Sequence, residues 1–193
     1  MIEKTIRIII KKYLERYPHE EESLSRLLRL MEHNKGNYRN LFNRKNFEGH
    51  ITASGFICCP KNNELLLLEH KALGISLQPG GHIEERDQDI ISGAIREVTE
   101  ETGLKNLEIV SVSSDIIVPF DINSHYIPAR KEKQEAEHYH HDFGYLFLIN
   151  KPENVELNLN ESGCFKWVNI DDLLSDQRHG QAAKKIKAIL ASK

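Results

Sequence analysis

The chain has 193 residues, enough for one domain of ordinary size with an additional element and too few for two full domains. Hydrophobic residues make up 39% and charged residues 28%, a globular balance that argues against disorder. With 26 Lys+Arg against 29 Asp+Glu the formal net charge is -3, so no global positive field would gather a nucleic-acid backbone, and nucleic acid is not expected as a partner.

The first segment, MIEKTIRIIIKKYLERY, interrupts its apolar residues with charge throughout. It has neither the 18 apolar residues of a membrane span nor the unbroken apolar centre of a signal peptide. No membrane insertion or export is expected. Cys58, Cys59 and Cys164 are odd in number and lack metal-ligand spacing, which reads as small buried thiols in a reducing compartment, with cytoplasm as the default location.

Ile6, Ile9, Ile10, Tyr13, Leu14 and Tyr17 recur at three and four, predicting an amphipathic helix over 3–17 that Pro18 ends. A second helix is expected from near His19 to about Asn34, with Leu24, Leu27, Leu28 and Met31 as its stripe and Gly36 beyond its end. Two helices this short cannot hold a core alone, so they must pack on the rest of the chain or in a homodimer interface.

From His50 the pattern changes. ITASGFICC and ELLLLEH read as strands joined by the turn-like PKNN. A glycine-containing loop leads to a helix from about Asp89 to Thr102, capped by Asp89 and stopped by Gly103, with Ile91, Ala94, Ile95 and Val98 expected toward the core. Further strands are expected at 107–118, 143–149 and 164–168, and a last helix at about 179–191. The polar stretch from Asp121 to His141 reads as a long loop at the sheet edge, of the kind that often shapes a binding site. The pattern is α/β: a mixed sheet with helices packed on it, preceded by a helical extension.

The chemistry concentrates on the 89–102 helix. Glu97, Glu100 and Glu101 stand at i, i+3 and i+4, so they gather on one side. Three like charges so close repel, and near a helix C-terminus the dipole disfavours them further. A divalent cation reverses that penalty, and carboxylate oxygens suit Mg²⁺ or Mn²⁺ in an open site completed by water and phosphate. Arg96 can hold a neighbouring carboxylate in orientation. Gly80 and Gly81 let the backbone approach, making the Gly80 carbonyl a further candidate ligand.

GGHIEERDQDIISGAIREVTEETGL resembles the Nudix box, G-x5-E-x7-R-E-U-x-E-E-x-G-U with U aliphatic. Its second half matches in full at Arg96, Glu97, Val98, Glu100, Glu101, Gly103 and Leu104. The first half is one residue longer: counted back from Arg96 the usual first glutamate falls on Gln88, and counted forward from Gly81 on Asp87. One inserted loop residue, with Asp87 or Asp89 in the stabilising role, reconciles the two.

The resemblance implies an α/β/α sandwich with a mixed sheet, extending over roughly residues 48–193 through the flanks ITASGFICC and CFKWVNIDDL. The corresponding division is a helical extension over 1–46 and a catalytic domain over 47–193. It also implies a pyrophosphohydrolase that splits a phosphoanhydride bond, commonly in a nucleoside diphosphate linked to another moiety. Glu97, Glu100, Glu101 and the Gly80 main chain would then be metal ligands and Arg96 their orienting partner. Glu100 or Glu101 is favoured for taking a proton from the attacking water, while Glu132, Glu135, Glu137 and Glu161 on other loops remain available. The alternative is a noncatalytic module that keeps the fold as a ligand sensor or interaction surface.

Histidines stand outside this pattern. In H-x-H-H-D, His138 and His140 share a strand face with Asp142 while His141 points away. Phosphate contact, proton transfer, a borderline metal such as Zn²⁺, and plain solvated or edge-filling rings are all open for this cluster and for His125. His82, just past the glycines, is a candidate substrate contact. Phe120, Tyr126 and Tyr139 suit base stacking or packing equally, and Trp167 reads as core.

Overall fold

The computed structural model describes residues 2–71, 73–150, 155–159 and 162–192. Helix α1 (Ile2–Arg16) and helix α2 (Ser25–His33) come first. Strands β1 (His50–Cys59), β2 (Glu64–His70), β3 (Ile75–Leu77) and β4 (Gly80–His82) precede helix α3 (Ile90–Thr102). Strands β5 (Glu108–Val110), β6 (Asp121–Ile127), β7 (His138–Leu148) and β8 (Ser162–Asn169) follow, and the short α4 (Ile170–Leu173) and α5 (Gly180–Ala191) close the order.

The strands form one mixed sheet. β1 and β7 run parallel at its centre, His50 opposite His140 through Cys58 opposite Leu148, and every other pairing is antiparallel. β4 and β2 share one edge of β1, with Ser54 opposite Gly80 and Cys58 opposite Leu65. β6 and β5 share the far edge of β7.

Side chains alternate between faces along each strand. Ile51, Ala53 and Ile57 of β1 and Phe143, Tyr145 and Phe147 of β7 pack in one core with Ala94 and Val98 of α3. Phe56, Cys58 and Leu146 turn to the opposite face and pack with Ala183 and Ile186 of α5. This is the expected α/β/α sandwich. The stripe of the N-terminal helices, Ile6, Ile9, Ile10, Tyr13, Leu24, Leu27 and Met31, enters the same core as α3. Among the described residues no helix is long and apolar enough to cross a membrane.

Several local expectations are corrected. The second α-helix starts at Ser25, because Pro18–Glu20 forms a separate 3-10 turn ahead of it, and Leu24 takes the N-cap position with no side-chain capping bond. On α3 Ala94 and Val98 are buried and Ile91 packs partly buried against the same core, as expected, but Ile95 is exposed and Ile90 is buried in addition. The 107–118 segment keeps only Glu108–Val110 as strand, since Ser111 Oγ donates to Ile116 O at 2.9 Å and accepts from Val118 N at 3.0 Å, folding the rest into a loop. The stretch 121–141 contributes β6 and the start of β7, paired from Asp121 opposite Gly144 to Ile127 opposite His138. Backbone pairing there needs no apolar side chains, and polar residues line the face it exposes. Cys58 and Cys59 are buried, but Cys164 lies on exposed β8 with its Sγ 2.8 Å from Glu69 Oε2.

Candidate active site

The site is organised around the three residues of β4 and the end of α3. Asp89 caps α3 by accepting from Ser92 N at 2.9 Å, while Ser92 Oγ accepts from Asp89 N at 2.9 Å, a reciprocal capping box. Gly103 ends the helix at φ +67°, a left-handed conformation that glycine adopts without steric cost. Of the two acids the box left open, Asp89 is therefore committed to the helix start, and Asp87 is the one that reaches Arg96.

Arg96 is nearly enclosed. Its Nε donates to Asp87 Oδ1 at 3.0 Å, its Nη1 to Glu97 Oε1 at 2.9 Å and Glu100 Oε2 at 3.1 Å, and its Nη2 to the His82 carbonyl at 2.7 Å. Burial alone would lower the Arg96 pKa, but the Asp87 and Glu97 bonds raise it above the ordinary value. Burial likewise works against ionised Asp87. The Arg96 bonds and the Glu84 N–H outweigh it and hold the Asp87 carboxyl below its usual range.

Glu101 is buried and accepts from Gly80 N at 2.8 Å. At Gly81 an added Cβ would lie 2.5 Å from Glu97 Oε1, so only glycine lets β4 come this close to that carboxylate. Glu100 is half-exposed and also pairs with Arg86 at 2.8 Å; Arg86 in turn pairs with Glu84 at 2.7 Å. Arg86 and Arg96 thus face Glu84, Asp87, Glu97 and Glu100, two cations against four carboxylates, and Glu101 on the same helix is held by Gly80 N. That excess of hard oxygen donors fits a divalent ion. Arg96 joins Glu97 and Glu100, and Gly80 N joins Glu101 to β4; among the described residues these carboxylates do not converge into a ready-made ligand cluster, and only His50, His82 and His140 do.

The other face of the sheet carries a polar stripe where β1, β4 and β7 meet. Asp142 is buried and accepts from Thr52 Oγ1 at 2.8 Å and Ser54 Oγ at 2.5 Å; burial pushes its carboxyl pKa up against those hydroxyl bonds. Beyond it lie His50, His82 and His140, each with one ring nitrogen within 4.8 Å of the others, a spacing that can hold a divalent ion. His82, expected to contact substrate, turns its ring toward His50 and His140, with centroids 5.0 and 5.1 Å away. Burial lowers the His50 and His82 pKa values to about 4 and that of His140 to about 2, so these rings are neutral near pH 7.

His138 and His140 share this face, and His141 points away to Ser124 Oγ at 2.7 Å. His50 was not singled out from sequence, although the polar alternation His50, Thr52, Ser54 inside an otherwise apolar strand was a signal for it. Glu135 pairs with Arg44 at 3.2 Å and Glu137 accepts from Tyr126 at 2.7 Å, both on the β6–β7 connection that also carries Glu132. Glu161 lies outside the described residues. Phe120 is core, Tyr126 is exposed, Tyr139 lies under the Arg26 guanidinium at 3.9 Å, and Trp167 packs against the α3-side core.

Comparison with known proteins gives a consistent picture. The profile described as NUDIX domain matches residues 49–189. A protein named probable DHNTP pyrophosphohydrolase, from Lactococcus lactis subsp. cremoris (strain MG1363), is 30% identical over 133 residues, covering 69% of this chain and 72% of that one. A crystal structure of a Nudix-family hydrolase from Clostridium perfringens is 25% identical, with a TM-score of 0.54 over 78% of this chain and 98% of that one. A C. elegans Ap4A hydrolase shares the fold, with a TM-score of 0.56 at 23% identity over 74% of this chain and 98% of that one.

Proposed function

The chain belongs to the Nudix family, and from that premise we propose that it is a pyrophosphohydrolase that uses Mg²⁺ or Mn²⁺ to cleave a phosphoanhydride bond in a nucleotide-like compound, a nucleoside diphosphate linked to another moiety. The observation that carries this reading is the Arg96 hub, which joins Asp87, Glu97, Glu100 and the His82 carbonyl in one network beside the Glu101–Gly80 bond. The names of the Lactococcus and C. elegans proteins, a DHNTP pyrophosphohydrolase and an Ap4A hydrolase, point to the same bond class.

Glu97, Glu100, Glu101 and the Gly80 main chain are the groups that would hold the ion. A bound divalent ion supplies charge neutralisation to diphosphate oxygens and lowers the pKa of a coordinated water. Arg96 fixes the Glu97 and Glu100 carboxylates, and Asp87 fixes Arg96, so these acids are oriented before substrate arrives. Proton removal from the attacking water falls to a carboxylate oxygen of Glu100 or Glu101. Glu101 has one oxygen engaged by Gly80 N, and Glu100 reaches solvent.

The test is a panel of diphosphate compounds, including nucleoside diphosphate conjugates, dinucleoside polyphosphates and pterin and nucleoside triphosphates, incubated with Mg²⁺ or Mn²⁺ and analysed for products by mass. Turnover should require the ion, be abolished by a chelator and fall about 100-fold in Glu101→Gln with the fold retained. Ligand binding across the panel with no turnover would replace the hydrolase reading by a binding module.

A further inference from the structure

We propose that His50, His82 and His140, with His138 completing the coordination, form a second metal site on the sheet face opposite α3, selective for a borderline ion such as Zn²⁺. The three rings come from three different strands and offer nitrogens within 4.8 Å of one another. His50 stands opposite His140 in the β1–β7 register, and His82 lies on β4 opposite Thr52.

For His50 and His138 the hydrogen bonds already select the ligand tautomer, while the proton His140 Nε2 shares with His138 Nε2 would leave on binding. His50 Nδ1 is 3.3 Å from the Asn46 carbonyl and His138 Nδ1 is 2.7 Å from the Ala136 carbonyl. A carbonyl only accepts, so each Nδ1 carries its proton and each Nε2 presents a lone pair. His50 is completely buried, and among the described residues its Nε2 has no hydrogen-bond partner. A buried imidazole nitrogen left so is costly unless something else occupies its lone pair.

The distances suit a tetrahedral ion. Zn–N bonds of about 2.0–2.1 Å place two ligand nitrogens ~3.4 Å apart. His138 Nε2 and His140 Nε2 are 3.2 Å apart, close to that edge length. The His50, His82 and His140 nitrogens, within 4.8 Å of one another, would draw in by up to about 1.4 Å on binding, and His138, which lies outside that group, would swing in beside His140 as the fourth ligand.

Ligand chemistry separates this site from the glutamates. Mg²⁺ and Mn²⁺ favour oxygen, whereas imidazole nitrogen favours Zn²⁺ and its neighbours in the transition series. An anion is the poorer occupant: the stripe carries buried Asp142, and Arg44, whose charge acts on His50 and His82, is itself paired with Glu135. The two centres meet only through β4, whose main chain contacts Arg96 and Glu101 while the His82 ring reaches the other face. The site does not depend on the hydrolase reading.

The full chain, stripped of metal and then saturated with Mg²⁺, is titrated with Zn²⁺ by calorimetry and with Co²⁺ by visible absorption. One Zn²⁺ per chain should bind in the presence of excess Mg²⁺, and Co²⁺ should give the intense band of a four-coordinate nitrogen site. Affinity should fall at least tenfold in His82→Gln and in His140→Gln, and remain within threefold of wild type in Glu97→Gln and Glu101→Gln. Loss of Zn²⁺ in the glutamine-for-glutamate variants with retention in the histidine variants would overturn the proposal, as would no Zn²⁺ uptake by wild type. Should a histidine variant fold poorly, histidine-ring NMR of the wild type decides: the His50, His82, His138 and His140 resonances shift with Zn²⁺ and not with Mg²⁺ if the site is real, and stay unmoved if it is not.

Discussion

Asp87 and Arg96 form a buried pair, with Nε to Oδ1 at 3.0 Å and side chains only 4% and 11% exposed. Asp87 sits in the loop before α3 and Arg96 on the helix, so the pair locks the loop to the face that carries the glutamates. Replacing Asp87 with Asn leaves a guanidinium with less charge compensation but with its Glu97, Glu100 and His82 partners. Stability is expected to fall by about 2 kcal/mol in urea unfolding. Turnover should fall roughly tenfold because Arg96 no longer holds the carboxylates in register.

The same pair has a pH signature. The folded Asp87 carboxyl is held below its ordinary value, so its stabilisation is fully present above the unfolded value of about 3.9 and is lost as pH falls through the folded one. The stability gap between wild type and Asp87→Asn should therefore stay constant from pH 8 to about 5 and close below about 4. A gap that closed near pH 6 would assign it to another group.

Asp89 is expected to behave differently. It contributes a cap and reaches none of the glutamates, so Asp89→Ala should cost about 1 kcal/mol of stability, with the activity of the folded fraction and its dependence on Mg²⁺ unchanged. Parallel measurement of melting temperature and turnover separates the two aspartates.

Gly81→Ala tests the approach of β4 to α3. The new Cβ meets only the carboxylate end of Glu97, which can swing away, so stability should change by less than about 1 kcal/mol. Glu97 would leave its position, and half-saturation by Mg²⁺ should move up about tenfold. Unchanged metal dependence would show that Glu97 is not a ligand.

The helix that carries the glutamates was legible from the sequence, and the reason is spacing. Helical periodicity puts Glu97, Glu100 and Glu101 on one side of α3, and Asp89 and Gly103 marked the helix ends through their own conformational preferences. Ile95 alone of the expected stripe was misplaced: its apolar side chain suggested the core, whereas the small Gly93 and Ala94 are what let the helix lie close to the sheet. His82, His138 and His140 were singled out separately, but His50 and the convergence of the rings stayed hidden because they lie on strands far apart in sequence, and only the parallel β1–β7 register sets His50 beside His140. Asp142 was read on the strand face it shares with His138 and His140, but its partners Thr52 and Ser54 lie some 90 positions away and appear only once β1 is set beside β7.

Lys185 is the centre of a buried polar cluster, with Nζ 2.6 Å from Asp121 Oδ1, 2.9 Å from Glu20 Oε2 and 2.7 Å from Tyr13 Oη. Burial lowers its pKa, yet the two carboxylates outweigh that and raise it. Lys185→Met strands both acids in a poorly hydrated place and should destabilise by about 3 kcal/mol, a fall of roughly 10 °C in Tm. A change under about 1 kcal/mol would mean that solvent reaches and screens the acids.

Tyr13 and Lys185 are separated by 172 positions, yet one hydrogen bond joins them. α1 cannot complete its polar contacts until α5 has been made, although its isoleucine stripe is covered by the α3-side core rather than by α5. The polar tie between the two helices is therefore a long-range contact, of the kind that forms late in assembly.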